Sequence, residues 1–230
     1  MNFPDLGMVI VAGGGSRRYG SGNKLLENLD GIPLFLHSVR QFAPCCAAGE
    51  LVLVTPEAEQ ECFADWLRRD LPGRAVKLVT GGAVRSESVR NGLNALPPGL
   101  SLVAVHDAAR PLATPALLAR CVEAARRCGG AVPGRPVVDT LKAVDESGHV
   151  VETVDRGRLR RVETPQVFQF ELLREAWRRA GEAGMEFTDD AAVMEFAGFP
   201  VEVVTHASDN LKITYPEDLA YLRWRFQSDQ

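Results

Sequence analysis

The chain has 230 residues, 46% of them hydrophobic and 24% charged, the balance of an ordinary globular protein with one domain and a sizeable core. Its net charge of -4 excludes a bulk nucleic-acid or membrane-surface binder, so the cations that matter must act locally. The five cysteines lack a C-x-x-C pair, the four histidines are too scattered for zinc, no run approaches the ~20 apolar residues of a membrane span, and the start MNFPDLG does not read as a signal peptide; the expectation is a reducing, cytoplasmic location with core-packed thiols.

Residues 8–11 form an apolar run that predicts a buried strand. It leads into Ala12-Gly13-Gly14-Gly15-Ser16-Arg17-Arg18-Tyr19-Gly20, followed by Lys24. Glycines after a strand let the backbone approach a ligand, and successive N–H groups can cradle phosphate oxygens. The two arginines and the lysine add charge for a polyanion, so the predicted guest is a nucleoside triphosphate. The dinucleotide fingerprint fails here, because Arg18 occupies its third glycine position and the next strand ends in Thr55 rather than an acidic residue. The P-loop pattern fails as well, since Ser21 stands where its lysine must be.

Further along, strands are predicted at 51–54, 76–79, 102–105, 131–133 and 201–204, alternating with helices at 34–42, 57–69, 87–95, 115–127 and 171–183. Thr114-Pro115 supplies an N-cap and a first helical residue. The alternation predicts an α/β fold with a mostly parallel sheet covered on both faces, whose ligands sit beyond the carboxyl ends of the strands. The segment Gly81-Gly82-Ala83-Val84-Arg85-Ser86-Glu87-Ser88-Val89 reads as a glycine turn opening a helix; its N–H groups and Ser88 either read a base or ribose or merely cap the helix through Ser86 or Glu87. In His106-Asp107-Ala108-Ala109-Arg110-Pro111, Asp107 stands at a strand end, available to a metal ion or a substrate hydroxyl, or paired with Arg110 as a cap. Residues 136–161 break the alternation: 140–144 and 150–154 alternate in strand fashion around Glu146-Ser147-Gly148, which predicts a projecting hairpin that needs a surface to pack on, such as a second subunit. Arg156 on this arm is either a solvated charge or an anion contact across that interface. Thr164 precedes a strand and Thr188 a helix, the latter either a phosphate contact or an ordinary N-cap. Lys212, between Leu211 and Ile213 on a strand-like stretch, either faces inward toward an anion or carboxylate or marks an edge strand. Residues 216–226 read as a closing helix capped through Thr214 or Tyr215.

In this order, AGGGSRR with Lys24, GGxxRxxSV, HDAARP, PVxDTxK, TVDR, TPQ, TD and DNxKxT together resemble the 2-C-methyl-D-erythritol 4-phosphate cytidylyltransferase family over nearly the whole chain. The resemblance implies a Rossmann-like nucleotidyltransferase fold with an inserted β-hairpin arm, CTP and 2-C-methyl-D-erythritol 4-phosphate as substrates, Mg²⁺ as cofactor, and a homodimer joined by the arm. It implies catalytic roles for Arg18, Lys24, Lys212 and Arg156, and nucleotide contacts from Ala12, Gly13, Gly14, Gly82, Ser88, Asp107 and Ala108. The acceptor would be held by Asp107, Arg110, Thr140, Arg156, Thr164, Thr188 and Lys212, with Arg156 acting in the partner's site. Mg²⁺ would be carried on the CTP phosphates, with Asp107 the candidate carboxylate. The chain departs from the family pattern at Val11 (proline), Gly13 (alanine), Ser16 (glycine), Ala83 (an acidic residue), Asp190 (glutamate) and Ala192 (serine). The competing readings are the same transfer to another polyol phosphate such as ribitol 5-phosphate, a nucleotide-binding protein without turnover, and a dehydrogenase, which Arg18 disfavours.

Overall fold

The computed structural model describes residues 1–13, 19 and 22–228. In chain order the elements are β1 (Leu6–Val11), β2 (Asn28–Leu29), β3 (Ile32–Pro33), α1 (Leu34–Phe42), β4 (Leu51–Thr55), α2 (Gln60–Asp70), β5 (Lys77–Thr80), α3 (Arg85–Ala95), β6 (Leu102–Asp107), α4 (Pro115–Cys128), β7 (Gly130–Pro136), β8 (Leu141–Val144), β9 (Val150–Val154), β10 (Arg160–Val162), β11 (Gln166–Gln169), α5 (Phe170–Glu182), α6 (Asp190–Phe196), β12 (Val201–Thr205) and α7 (Pro216–Ser228). The main sheet runs β5-β4-β1-β6, then β10 and β11 end to end, then β7 and β12. Only the β10–β11 line runs antiparallel to its neighbours, so the sheet is mostly parallel, as the alternation of apolar runs and helices predicts.

The central strands are apolar on both sides because both faces are covered. Met8 and Ile10 point into a core shared with Phe35 and Phe42 of α1, Phe63 of α2, Cys121 of α4 and Leu222 of α7. Val9 and Val11 point into the opposite core with Val89 of α3, Trp177 of α5 and Met194 of α6. All of these side chains are buried, so removal of one large side chain such as Phe63 is expected to cost about 3–5 kcal/mol. Thr114 caps α4 as expected, accepting from the Leu117 N–H at 3.2 Å with Pro115 in the first turn.

Several local expectations change. The helix predicted from residue 57 opens as a 3-10 turn, Glu57–Glu59, before α2 begins. No strand forms at Lys212: the residues between β12 and α7 join no ladder, and the Ile213 N–H donates to Ala109 O at 2.9 Å in the loop after β6. The closing helix is not capped by Thr214, whose hydroxyl donates to Lys212 O at 3.2 Å. Instead Asp218 reaches back to accept the N–H groups of Thr214 and Tyr215 at 2.7 and 2.8 Å.

The arm is a separate two-stranded sheet, β8 against β9. Its turn closes where Glu146-Ser147-Gly148 predicts: Asp145 Oδ1 accepts from the Ser147 and His149 N–H groups, both at 2.9 Å. Val138, Val144, Val150 and Val151 are all more than half exposed on it, with relative exposures of 77, 56, 60 and 63%.

Candidate active site

The parallel strands deliver their carboxyl ends, and therefore their loops, to one edge of the sheet. There the Ala12 N–H donates to Val54 O at 2.7 Å, the Gly81 N–H to Thr55 O at 2.9 Å and the Ala108 N–H to Val11 O at 3.0 Å. These bonds set Ala12, Gly13, Gly81, Gly82 and Ala108 side by side. A Cβ on Gly13 would lie 3.4 Å from Ser88 Oγ and 3.7 Å from Gly81 Cα, so the first glycine loop and the 81–84 turn nearly touch. At Gly82 a Cβ would come within 2.2 Å of the Glu87 Cβ, a contact no larger residue tolerates. Arg18 and Gly14 lie outside the described residues.

Ser88 sits differently from the sequence reading. It is buried, accepts from the Gly82 N–H at 3.1 Å and donates to Val84 O at 3.2 Å, so its hydroxyl shapes the turn from within. Glu87 Oε2 accepts from the Ala83 N–H at 2.7 Å. Lys24 opens a short 3-10 turn, and its Nζ donates to Ile213 O at 2.7 Å, beside Lys212.

Asp107 is the hub of the edge. Its Oδ2 lies 2.6 Å from Lys212 Nζ and its Oδ1 3.3 Å from Arg85 Nε. Arg85 continues to Asp190, with Nη1 2.9 Å from Oδ2. Lys212 therefore faces inward onto a carboxylate, one of the two alternatives left open, and Asp107 pairs with Arg85 and Lys212 rather than capping with Arg110. Arg110 Nη1 instead donates to Asn210 O at 2.8 Å, and Asn210 Nδ2 donates to Thr164 O at 2.9 Å. The Thr164 hydroxyl accepts from the Asp107 N–H at 3.0 Å and, also at 3.0 Å, meets His106 Nδ1.

Burial alone would raise the Asp107 pKa, but the cations Arg85 and Lys212 prevail and hold the carboxyl well below the usual range. Burial disfavours the charge on Arg85, yet its two carboxylates outweigh this and push its pKa above the ordinary arginine value. Asp190 is fully buried; desolvation raises its pKa against the opposing pull of Arg85. His106, buried against the edge of Phe42, is pushed down to about 3 by desolvation, so its imidazole is neutral and Nδ1 accepts the Thr164 proton.

A cavity of about 200 Å³ opens over this network, lined by Arg85, Asp107, Arg110, Thr164, Thr188 and Lys212. Thr188 is not the cap of α6. Asp189 is, accepting from the Ala192 N–H at 3.0 Å, while Gln166 Oε1 accepts from the N–H groups of Asp190 and Ala191, both at 3.2 Å. With those amides taken, Thr188 can contact an anion only from the cavity wall and not through a helix N-terminus. A larger groove of about 650 Å³ between α3 and α5 contains none of the predicted site residues. Thr140 and Arg156 do not line the 200 Å³ cavity; both are exposed on the arm, where the Arg156 guanidinium bonds to Val138 O. Among the described residues no cluster of three or more histidines, cysteines or carboxylates could hold a metal, so Asp107 is a single candidate ligand and not part of a cage.

Arg85, Asp190, Gln166 and Asn210 are the residues that motif reading left without a role. Arg85, Gln166 and Asn210 stand inside quoted motifs, GGxxRxxSV, TPQ and DNxKxT, which was the available signal.

Residues 6–226 match the family model described as IspD, 2-C-methyl-D-erythritol 4-phosphate cytidylyltransferase. A protein of that name from Synechocystis is 40% identical over 214 residues, covering 93% of each chain. Another from Microcystis aeruginosa is 41% identical over 217 residues, covering 93% of this chain and 95% of the relative. The crystal structure of 2-C-methyl-D-erythritol 4-phosphate cytidylyltransferase from Thermus thermophilus superposes with a TM-score of 0.79 at 34% identity, over 96% of this chain and 98% of that one. The chain belongs to the 2-C-methyl-D-erythritol 4-phosphate cytidylyltransferase family.

Proposed function

We propose that this chain transfers CMP from CTP to 2-C-methyl-D-erythritol 4-phosphate, releasing pyrophosphate and forming the CDP-alcohol of the non-mevalonate route to isoprenoids. The observation that carries the reading, beside family membership, is the cation-lined cavity over Asp107, together with two glycine loops that nearly touch at the carboxyl edge of the sheet.

The acceptor is itself a phosphate monoester, ionised at neutral pH, so no general base is needed. One of its oxygens attacks the α-phosphorus in line, the bond to the bridging oxygen of the β-phosphate breaks, and the electron pair leaves with pyrophosphate. The difficulty is to bring two polyanions together and to stabilise charge as it shifts to the leaving group, which is work for positioning and electrostatics. The N–H groups of Ala12, Gly81, Gly82, Ala83 and Ala108 are engaged within the fold, so these loops offer the nucleotide a close backbone surface, with Arg18 and Lys24 as the triphosphate cations. Lys212, Arg110 and Thr188 face the acceptor. Asp107, held ionised by Arg85 and Lys212, accepts from a substrate hydroxyl.

Mg²⁺ fits this donor set in the way it usually binds nucleotides, through phosphate oxygens and at most one or two carboxylates. Asp107 is the residue that would hold it, and the ion would offset charge on the departing pyrophosphate. Arg156 and Thr140 reach an acceptor only in a homodimer in which the arm crosses to the partner, a reading supported by the exposed valines of the arm. A cytoplasmic location accords with five free cysteines.

The test is pyrophosphate release with Mg²⁺ and CTP, comparing 2-C-methyl-D-erythritol 4-phosphate with ribitol 5-phosphate. Turnover with the first alone supports the proposal. Turnover with the second moves the acceptor to another polyol phosphate, and silence with both returns the chain to nucleotide binding without transfer.

A further inference from the structure

We propose that Glu163 and His206, which belong to none of the motifs, form a positioning pair that pins the Lys212-bearing segment to the strand junction carrying Thr164. The inference rests on the acceptor reading above. Glu163 lies in the break between β10 and β11, directly before Thr164, and its N–H donates to Pro133 O at 2.9 Å. His206 is the first residue after β12, and its N–H contacts Gly134 O at 3.2 Å. The two residues thus grip consecutive positions of β7 from its two flanks.

Their side chains meet across that strand, with His206 Nε2 3.2 Å from Glu163 Oε2 and only 2 and 3% of the two side chains exposed. The contact is an approach of charge and dipole and not an aligned hydrogen bond, and neither atom has a hydrogen-bond partner among the described residues. The next cation, Arg161, is 3.9 Å from the other carboxylate oxygen and mostly in solvent. On its far side the imidazole Nδ1 lies 2.9 Å from Ser208 Oγ. Burial lowers the His206 pKa, which favours a neutral ring. Nδ1 is thus engaged by Ser208, and the buried Nε2 is left with the Glu163 carboxylate as its polar neighbour.

A buried carboxylate and a buried imidazole nitrogen are each costly alone, so their facing one another is a constraint on the chain and not a chance contact. The constraint acts on the acceptor side. Glu163 lines the same cavity as Arg110, Thr164 and Lys212. Residues 206–213 are anchored at one end by His206, in the middle by Asn210 on Thr164 O, and at the other end by the Ile213 N–H on Ala109 O. Lys212 lies within that span.

The experiment combines steady-state kinetics with amide hydrogen exchange on the full chain. His206→Ala is expected to raise the acceptor KM about tenfold while leaving the CTP KM within about twofold, the pattern of lost acceptor positioning. His206→Gln, whose side-chain N–H can still face Glu163, should recover most of that loss. Glu163→Ala should match His206→Ala, and the double variant should be no worse than either single one, because both remove the same contact. In His206→Ala, exchange at residues 206–213 should accelerate while the amides of β1 and β4 stay protected. An unchanged acceptor KM, an equal rise in both KM values, a glutamine no better than alanine, or unaltered exchange at 206–213 would overturn the pair. Should wild-type protein show no turnover with this acceptor, the functional reading falls, and the exchange comparison still decides whether the pair pins the segment.

Discussion

The carboxyl edge of the sheet and the projecting arm treat charge and apolar surface in opposite ways. At the edge, Asp107 and Asp190 are buried, and each carboxylate is matched to a cation within the same chain. On the arm, valines stand in solvent and the Arg156 guanidinium bonds to a backbone carbonyl. Among the described residues, the edge thus neutralises its buried carboxylates within one chain. The arm leaves its valines uncovered, the surface that the proposed homodimer would bury.

The comparison is broken most severely at Arg85. Arg85→Met should destabilise the fold by about 3–5 kcal/mol, because it strands the buried Asp190 and leaves Asp107 to Lys212. Urea unfolding measures this, and adding Asp190→Leu should recover part of the loss; a single variant as stable as wild type would mean that the edge is not a coupled network. Next comes Lys24→Ala, expected to lower kcat at least ~100-fold, the scale for loss of one positioned charge donor. Near-normal turnover would remove Lys24 from the chemistry.

Acid should weaken the edge before the arm. The His106 pKa of about 3 in the fold lies below the ~6.5 of the unfolded chain, so between these values only the unfolded chain takes the proton. Stability should then fall as pH drops through that window, by up to about 1.4 kcal/mol per unit. Asp107, whose pKa is depressed, adds a loss of the same sign below ~4. Urea midpoints from pH 7 to 4 test this, and His106→Gln should flatten the slope above pH 4.

On the arm the effects are smaller and test the proposed homodimer. Arg156→Ala should raise the acceptor KM about tenfold with kcat largely kept. Mixed dimers of Arg156→Ala and Lys24→Ala chains should regain one working site, and inactive hybrids would count against action across an interface. Val151→Asp should shift the sedimenting species toward monomer while changing the stability of the chain itself by less than ~0.5 kcal/mol, as for other exposed positions.

Much of the fold was legible in the sequence because its signals are local. Apolar runs of strand length separated by helical periods predicted the parallel strands and most of the helices, and the turn at Glu146-Ser147-Gly148 predicted the hairpin. The positions of Ala12, Asp107 and the 81–84 turn at one edge followed from their place after strands. The antiparallel β10–β11 line was not visible as such, since a short run carries no record of the direction of its neighbours. At the site, the sequence nominated Asp107, Arg110, Thr164, Thr188 and Lys212, which do line one cavity, but it left Ser88 and Thr188 with two readings each and passed over Arg85.

By itself, then, the sequence determined which elements form and which loops share an edge, because periodicity and turn chemistry act over a few residues. Only the tertiary structure decided who pairs with whom. Lys212 meets Asp107 across 105 positions of chain, and Arg85, Asp190, Glu163 and His206 find partners on elements that no local pattern links to them. Those pairings follow from sheet order and from the need to neutralise buried charge, and both are properties of the closed fold.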